Sequence, residues 1–168
     1  MKIAIVGYTG SGKSTTARML GEKYNIPVLH LDTVHWMPDW QVRPVEESKE
    51  IVREFMEQNN SWIIDGNYKA LLQSDRLESA DKILFFDFNR YTCFWRRMKR
   101  WLKYRGKSRP DIAEGCNEKI DSEFIRWILK DGRTLKKRKG YENMCKKHSN
   151  KVAIIKNQRQ LDEFMASL

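Results

Sequence analysis

Residues 7–14 read GYTGSGKS and match the pattern G-x-x-x-x-G-K-S at every fixed position. The apolar residues 2–6 before this stretch are typical of a buried parallel strand, and residues 15–24 after it have the composition of a first helix. A strand, a glycine-rich loop and a helix in this order form a loop whose backbone N–H groups can enclose a phosphate. The competing interpretation is an ordinary glycine-rich turn, which explains neither flank.

This loop is predicted to bind the phosphates of ATP. Its glycines let the backbone approach an anion without a Cβ clash, and the helix N-terminus adds positive potential. Lys13 is expected to reach the β- and γ-phosphates, and the Ser14 hydroxyl is expected to bind Mg²⁺. The residues predicted to bind the nucleotide are Gly7, Thr9, Gly10, Ser11, Gly12, Lys13, Ser14 and Thr15.

The 168 residues suit one domain, 1–168, with a continuous core. No apolar stretch approaches the roughly 20 residues needed to span a bilayer, so no membrane association is expected. The N-terminal residues predict a strand and not a signal peptide. Cys93, Cys116 and Cys145 form no C-x-x-C pair, which favours free thiols over disulfides or a zinc site. A reduced, cytoplasmic location fits this pattern.

The net charge of +10 is concentrated in one stretch. Residues 90–147 hold 19 Lys and Arg against 7 Asp and Glu, whereas the rest of the chain holds 13 against 15. This concentration favours an anionic ligand nearby, either nucleotide phosphates or nucleic acid. The alternative is a set of solvated helix faces.

Short apolar runs alternate with helical patterns along the whole chain. This alternation predicts an α/β fold with right-handed crossovers, a parallel sheet and helices on both of its faces. Residues 37–45 and 105–115 are expected to be loops. Strands are predicted at residues 2–6, 28–31, 62–64, 82–86 and 151–155, and helices at about 15–24, 46–59, 70–79, 91–104, 118–130, 134–147 and 158–168.

Three predicted strands are followed by an aspartate: Asp32, Asp65 and Asp87. Ligands of open α/β sheets bind beyond the carboxyl ends of the strands, so these carboxylates are expected on the same rim as Lys13, with Asp87 toward its edge. Asp65 is the best candidate for a second Mg²⁺ ligand, because it follows an apolar strand. The same letters, Asp65-Gly66, also fit a simple turn.

A phosphoryl acceptor is predicted beside Asp32, whose carboxylate can orient a hydroxyl group or take its proton. His35, Trp36 and Tyr68 are the further candidate contacts. A structural hydrogen bond is the competing role for His35, and core packing is the competing role for Trp36 and the nearby Trp40.

Arginines that follow the fourth predicted strand are candidates for neutralising charge during phosphoryl transfer, since guanidinium groups pair with phosphate oxygens. Arg97, Arg100 and Arg109 are the predicted catalytic members, and Arg96 and Arg105 lie in the same segment. The segment, about residues 96–117, is predicted to be a basic helical lid. Several of these side chains are equally expected to cover helix surfaces with their stems.

On these motifs the chain resembles the adenylate-kinase-like P-loop proteins, which include nucleoside monophosphate kinases, shikimate kinase and gluconate kinase. The resemblance covers nearly the whole chain and rests on GYTGSGKST (7–15), DGNY (65–68) and the basic residues 96–100. HLDTVHW (30–36), WIIDGNY (62–68) and RPDIAEGCNE (109–118) more narrowly resemble a bacterial branch labelled DNA topology modulation protein.

The resemblance implies a three-layer P-loop NTPase fold, with a five-stranded parallel sheet in the order 2-3-1-4-5 and a lid between strands four and five. It also implies ATP and Mg²⁺ as ligands. Adenylate kinases carry D-G-[FY]-P-R after strand three, whereas residues 65–69 here read DGNYK and lack the proline and the arginine. Asp32 has a place like that of the substrate-binding aspartate of shikimate and gluconate kinases, which supports a hydroxyl acceptor.

Three functions follow from these features. The first is a small-molecule kinase that transfers the γ-phosphoryl of ATP to a nucleotide, a nucleoside or a hydroxyl compound. The second is an ATP-dependent nucleic-acid-binding protein that affects DNA topology; it ranks lower because no nucleic-acid-binding motif is present and Trp95, Trp101, Tyr104 and Trp127 have the helical spacing of core residues. The third is a non-catalytic nucleotide sensor.

Overall fold

The structure is a computed structural model that describes residues 1–104, 116 and 121–167. Its centre is a five-stranded parallel sheet in the order β2-β5-β1-β6-β7, and a separate antiparallel pair, β3 and β4, forms a small hairpin. The strands are β1 (Lys2–Gly7), β2 (Val28–His30), β3 (Trp36–Met37), β4 (Gln41–Val42), β5 (Trp62–Asp65), β6 (Lys82–Phe86) and β7 (Val152–Ile155).

Helices connect consecutive strands of the sheet. The chain moves outward from β1 to β2 and then returns across the sheet, so right-handed crossovers place α1 on the face opposite to α3 and α4. The helices are α1 (Lys13–Tyr24), α2 (Leu31–His35), α3 (Val45–Gln58), α4 (Gln73–Ser79), α5 (Arg90–Tyr104), α6 (Ser122–Leu129), α7 (Leu135–Lys147) and α8 (Gln158–Ala166). Short 3₁₀ turns occur at Pro38–Trp40 and Asp131–Arg133.

The central strand β1 is buried because both of its edges are paired and helices cover the sheet. Ile3, Ala4, Ile5 and Val6 have no exposed surface, as expected for a continuous apolar run in a parallel sheet. In the register of β1 with β5, Ile5 pairs with Asp65. The carboxyl ends of these two strands therefore lie side by side, where the phosphate loop begins.

The predicted fold class and strand order are confirmed, with two local differences. The second strand ends at His30, and residues 31–35 form a short helix, so Asp32 lies in its first turn and not at a strand end. The predicted loop at residues 37–45 contains the β3–β4 hairpin. Two- to five-residue elements of this kind are too short to produce a readable period in the sequence.

The prediction that the aromatic residues of the basic stretch belong to the core is wrong for Trp95 and Trp127. Their exposed fractions are 64% and 45%, whereas Trp101 and Tyr104 are half-buried. Trp95 lies on the side of α5 that also exposes Tyr91 and Lys99, which are four residues away in either direction. Helical spacing places these side chains on one face, and the neighbouring elements leave that face uncovered.

Of the predicted lid, α5 covers the first part and Cys116 is described, whereas Arg105 and Arg109 lie outside the described residues. Within the described part of the chain, no helix combines the length and the apolar character needed to cross a membrane.

Candidate functional site

The phosphate loop leads into a helix whose first turn has no side-chain cap. Gly10 has φ 77° and Gly12 has φ 104°, backbone conformations that favour glycine, and α1 begins directly afterwards at Lys13. No acidic residue lies in the first turn of α1, and no side chain of the N-cap position accepts its N–H groups. These amides are thus arranged as an anion-binding site.

Asn67 fixes the start of this loop, a role that the sequence did not reveal. The Gly7 N–H donates to Asn67 Oδ1 over 2.9 Å, and Asn67 Nδ2 donates to the Gly7 carbonyl over 2.7 Å. This amide pairing imitates a strand pair and joins the end of β1 to the segment after β5. Asn67 is part of the DGNY motif, but functions were predicted from the sequence only for Asp65 and Tyr68 of that motif.

Lys13 curls back over the loop. Its Nζ donates to the Tyr8 carbonyl over 3.0 Å, and the Ser11 hydroxyl donates to the same carbonyl over 2.6 Å. Burial lowers the pKa of the Lys13 ammonium, and the carboxylates of Asp65 and Asp32 oppose this shift. An anion bound at the loop would therefore stabilise a charge that burial disfavours.

Ser14 and Asp65, the two predicted Mg²⁺ ligands, contact each other directly. The Ser14 hydroxyl donates to Asp65 Oδ2 over 2.8 Å, and Asp65 is almost completely buried at the end of β5. A hydroxyl and a carboxylate oxygen are hard donors of the kind that Mg²⁺ prefers, so this pair fits the ion. The alternative of a simple turn at Asp65-Gly66 is wrong, because Asp65 ends β5 and the Gly66 N–H donates to the Ile5 carbonyl of the neighbouring strand over 3.0 Å.

The other oxygen of Asp65, Oδ1, contacts His30 Nδ1 in a short hydrogen bond. This partner was missed, although His30 opens the HLDTVHW segment. A histidine at the end of β2 reaches Asp65 because β2 and β5 are neighbours and His30 pairs with Asp65 in the register. The contact fixes the orientation of the carboxylate that faces Ser14.

A cavity of about 630 Å³ lies above the loop and contains most of the predicted site. Two predicted nucleotide-binding residues support the loop from outside the cavity: Gly7 packs against the Phe86 backbone, and Ser11 is fully buried. Of the predicted residues, those that line the cavity are Thr9, Gly10, Gly12, Lys13, Ser14, Thr15, Asp32, Trp36, Asp65, Tyr68, Arg97 and Arg100.

The phosphate loop also borders a second cavity, of about 520 Å³, next to α5 and α8. Both cavities are lined by Gly10, Gly12 and Thr15. The loop consequently separates two spaces, each large enough for part of a small molecule.

At the far end of the 630 Å³ cavity, the Tyr68 hydroxyl donates to Asp32 Oδ1 over 2.8 Å. The rings of His35 and Tyr68 lie 4.5 Å apart, and His35 also contacts Trp36 edge to face at 4.7 Å. His35 lies behind Trp36 and Tyr68 and is not among the lining residues. Burial lowers the pKa of His35, and the Asp32 carboxylate opposes this shift.

The β3–β4 hairpin adds Trp40 to the cavity wall. The indoles of Trp36 and Trp40 lie 5.3 Å apart at 75°. Asp39 and Trp40 both have positive φ values, 59° and 61°, which are unfavourable for these residue types. The Cys116 thiol donates to the Met37 carbonyl over 3.3 Å, so the described end of the lid segment contacts this hairpin.

Arg97 and Arg100 both line the 630 Å³ cavity, because residues three apart lie on the same face of a helix. Arg97 is 5% exposed, and its guanidinium lies 4.7 Å from the centre of the Phe124 ring. Arg96 has a different role, because it donates to the Ser11 carbonyl over 2.6 Å and to Gln158 Oε1 over 2.8 Å. Asp87 lies outside the lining of this cavity.

Arg76 is a second residue that sequence reasoning missed. Its side chain is completely buried and donates to the carbonyls of Leu71 (2.8 Å), Tyr68 (2.9 Å) and Gly66 (3.4 Å). Burial lowers the pKa of Arg76 to about 10, and the carboxylates of Asp65 and Asp75 oppose this shift. The guanidinium thus holds the loop that presents Tyr68 to the cavity.

Comparisons with known proteins agree with this fold. No protein-family model matches the sequence. Adenylate kinases of Listeria monocytogenes serotype 4b and Listeria innocua serovar 6a are 25% identical over 131 aligned residues, which cover 61% of this chain and 60% of each relative. The chain therefore spans about three fifths of the length of the curated relatives it matches.

Two solved structures are similar over almost the whole chain. A shikimate kinase from Bacteroides thetaiotaomicron has a TM-score of 0.55 and 21% identity, and the match covers 97% of this chain and 93% of that one. A shikimate kinase from Acinetobacter baumannii in complex with shikimate has a TM-score of 0.57 and 18% identity, with coverages of 96% and 87%. These likenesses show that the chain shares the α/β fold of these two proteins.

Replacing Arg76 tests whether it supports the loop after β5. Arg76→Lys is expected to lower the free energy of unfolding by about 2–3 kcal/mol, because one ammonium nitrogen cannot replace the three guanidinium nitrogens that each bond a different carbonyl. Arg126→Lys is the control; that side chain is 69% exposed and pairs with Asp131 at 3.1 Å, so a change within about 0.5 kcal/mol is expected. Urea denaturation measures both, and equal effects would contradict the assigned role.

The protonation of His35 tests the geometry around Asp32. An NMR titration of the imidazole protons should give His35 a pKa below 6.5, because burial disfavours the imidazolium ion. Asp32→Asn should lower this pKa further, since it removes the carboxylate that stabilises the charged ring. Because the folded-state pKa is the lower one, the stability from neutral His35 is complete above pH 6.5 and is lost as the pH falls through the folded value. A rise in pKa in Asp32→Asn would contradict the arrangement.

Proposed function

We propose that this protein is a kinase that transfers the γ-phosphoryl group of Mg²⁺-bound ATP to a small molecule bearing a hydroxyl group. The observation that carries the proposal is the position of the phosphate loop between two cavities, of about 520 and 630 Å³. One cavity can hold the nucleoside part of the donor and the other the acceptor. The distant similarity to adenylate and shikimate kinases supports the same class of reaction.

On the donor side, the uncapped first turn of α1 and the amides of the loop would bind the β- and γ-phosphates. Lys13 would exchange the Tyr8 carbonyl for phosphate oxygens. Ser14 and Asp65 are the residues that would hold Mg²⁺, directly or through water. Bound Mg²⁺ would neutralise charge on the phosphate oxygens.

On the acceptor side, Asp32 is the proposed base. The acceptor oxygen forms a bond to the γ-phosphorus, the bond from that phosphorus to the bridging oxygen breaks, and its electron pair remains on ADP. The proton of the acceptor hydroxyl passes to the Asp32 carboxylate, which the Tyr68 hydroxyl holds in place from Oδ1. Trp36 and Trp40 form the wall against which the acceptor packs.

The transferring group gathers negative charge on its oxygens, and Arg97 and Arg100 line the cavity where this charge would develop. Arg97 is held against Phe124 on α6. Its position thus depends on the segment that follows the lid. Arg109 remains a predicted third member of this group.

A second function, nucleic-acid binding, is favoured by one observation. The outer face of α5 exposes Tyr91 and Trp95 by 64% each, next to Lys99, and no acidic residue occurs in this helix. Exposed aromatic rings beside cations can stack on bases and neutralise phosphates. The proposal stays second because Tyr91 and Trp95 line neither cavity at the phosphate loop, although Lys99 borders the 520 Å³ cavity.

The kinase proposal predicts transfer of a labelled γ-phosphoryl group from ATP to at least one compound in a panel of nucleosides, nucleotides, sugars and hydroxy acids. Lys13→Ala is expected to abolish this transfer. ATP affinity, measured by calorimetry with Mg²⁺, should fall at least about tenfold, since a charge-assisted contact worth about 1.5–3 kcal/mol is lost. Lys136→Ala, on the exposed side of α7, is the matched control and should behave as the parent. Undiminished transfer by Lys13→Ala would refute the scheme.

The nucleic-acid proposal predicts binding of fluorescent single-stranded DNA that weakens steeply between 50 and 200 mM salt, because released counterions contribute to the affinity. Trp95→Ala should weaken binding by about fivefold or more, as expected for the loss of one stacked base. Leu135→Ala is the control, since Leu135 is 74% exposed and lies on α7. No detectable binding at 50 mM salt would eliminate this function.

A further inference from the structure

A third cavity, of about 270 Å³, lies beside the phosphate loop. It shares Thr9, Asn67 and Trp127 with the 630 Å³ cavity and extends from there between other residues. It is enclosed by α4, α6, α7 and the segments at Tyr8 and Asn67. Leu77, Ile128 and Met144 form its apolar wall, and Trp127 and Tyr141 add aromatic rings. Among the residues that the structure describes, no aspartate or glutamate lines it.

Several polar groups in this cavity are hydrogen-bond donors without a partner in the described part of the chain. Among the described residues, the phenol groups of Tyr8 and Tyr141 have no hydrogen-bond partner, and the Lys69 ammonium has neither a hydrogen bond nor an ion pair. Lys137 contributes a second ammonium, which lies 3.4 Å from the centre of the Trp127 ring. Burial raises the pKa of both phenols, so they remain protonated donors at neutral pH.

Gly140 leaves the cavity open on the α7 side. A Cβ atom built on this glycine would have the Lys69 Nζ, at 3.9 Å, as its nearest neighbour, so a side chain here would extend into open space. Glycine is unfavourable inside a helix such as α7, and nothing packed against Gly140 requires it. The missing side chain at Gly140 leaves space beside the Lys69 ammonium and the phenols of Tyr8 and Tyr141. This combination of free space and hydrogen-bond donors without a partner among the described residues is suited to a ligand.

We propose that this cavity binds a small organic anion, with an apolar or aromatic body against Trp127, Ile128 and Met144 and a carboxylate or phosphate group toward Lys69 and the two phenols. Lys69, Arg133 and Lys137 line the cavity, and no carboxylate of the described residues does, so the electrostatics favour an anionic ligand over a cationic one. The volume limits the body to about one six-membered ring with its substituent.

The site is connected to the phosphate loop through Tyr8. The Tyr8 side chain lines the third cavity, and the Tyr8 carbonyl accepts the hydrogen bonds of Lys13 Nζ and the Ser11 hydroxyl. Asn67 also lines this cavity while its amide holds Gly7. A ligand in the third cavity therefore contacts Tyr8 and Asn67, which position the loop, and borders Thr9 of the loop, without reaching Lys13 or Ser14.

Benzoate is a suitable probe, with benzamide as its uncharged counterpart of nearly equal shape. Titrations followed by the NMR signals of the Trp127 indole N–H and the Gly140 amide should show benzoate binding with a Kd of about 1 mM or lower. Benzamide should bind at least about fivefold more weakly, since it lacks the charge. Saturating ATP with Mg²⁺ should not displace benzoate.

Variants of the cavity wall complete the test. Gly140→Leu fills the open position and should weaken benzoate binding at least about tenfold, whereas Gly140→Ala should leave it within about twofold and serves as the folding control. Lys69→Met should weaken benzoate but not benzamide. Failure of the parent protein to bind benzoate, equal binding by Gly140→Leu, equal affinities for benzoate and benzamide, or displacement by ATP would each overturn the proposal.

Discussion

The parallel pairing of β1 with β5 is the constraint on which the rest of the structure depends. Because Ile5 pairs with Asp65, the end of β5 stands beside the start of the phosphate loop. That register brings Asp65 to the Ser14 hydroxyl and lets Asn67 pair with the backbone of Gly7. A shift of the register by one residue would turn these side chains to the other face of the sheet and separate both contacts.

Much of this arrangement could be predicted from the sequence, because the relevant signals are local. The alternation of strands and helices, the glycine loop and the aspartates after apolar strands predict the fold class and the rim on which the site lies, whereas the strand order was implied only by the resemblance to adenylate-kinase-like P-loop proteins. Residues that act through tertiary geometry could not be predicted. Arg76 has the sequence context of an ordinary surface arginine, and its burial follows from the curvature of the loop at Gly66–Leu71, which brings three carbonyls together.

The aromatic residues of the basic stretch illustrate another limit. Helical spacing shows which side chains share a face, but it does not show whether another element covers that face. Trp95 lies on a face of α5 that stays open, and Trp127 on α6 borders two cavities. Position in the fold and not residue type decides which aromatic ring becomes core.

The excess of basic residues likewise serves several purposes. Arg96 joins the phosphate loop to α8 and lies 4.3 Å from the centre of the Phe88 ring, while Arg97 is buried against Phe124. Arg133 stacks 3.7 Å from the centre of the Tyr8 ring and donates to the Phe88 carbonyl over 2.6 Å. These three arginines of the basic stretch therefore stabilise the fold through hydrogen bonds and ring contacts within the protein.

Tyr8 occupies the first variable position of the G-x-x-x-x-G-K-S pattern. Its main-chain carbonyl accepts from Ser11 and Lys13, and its main-chain N–H donates to the Phe86 carbonyl over 3.1 Å. The geometry of the phosphate loop consequently does not depend on which side chain stands at this position. A substitution of the Tyr8 side chain can therefore change the shape of the neighbouring 270 Å³ cavity and leave the hydrogen bond of Lys13 to the main chain in place.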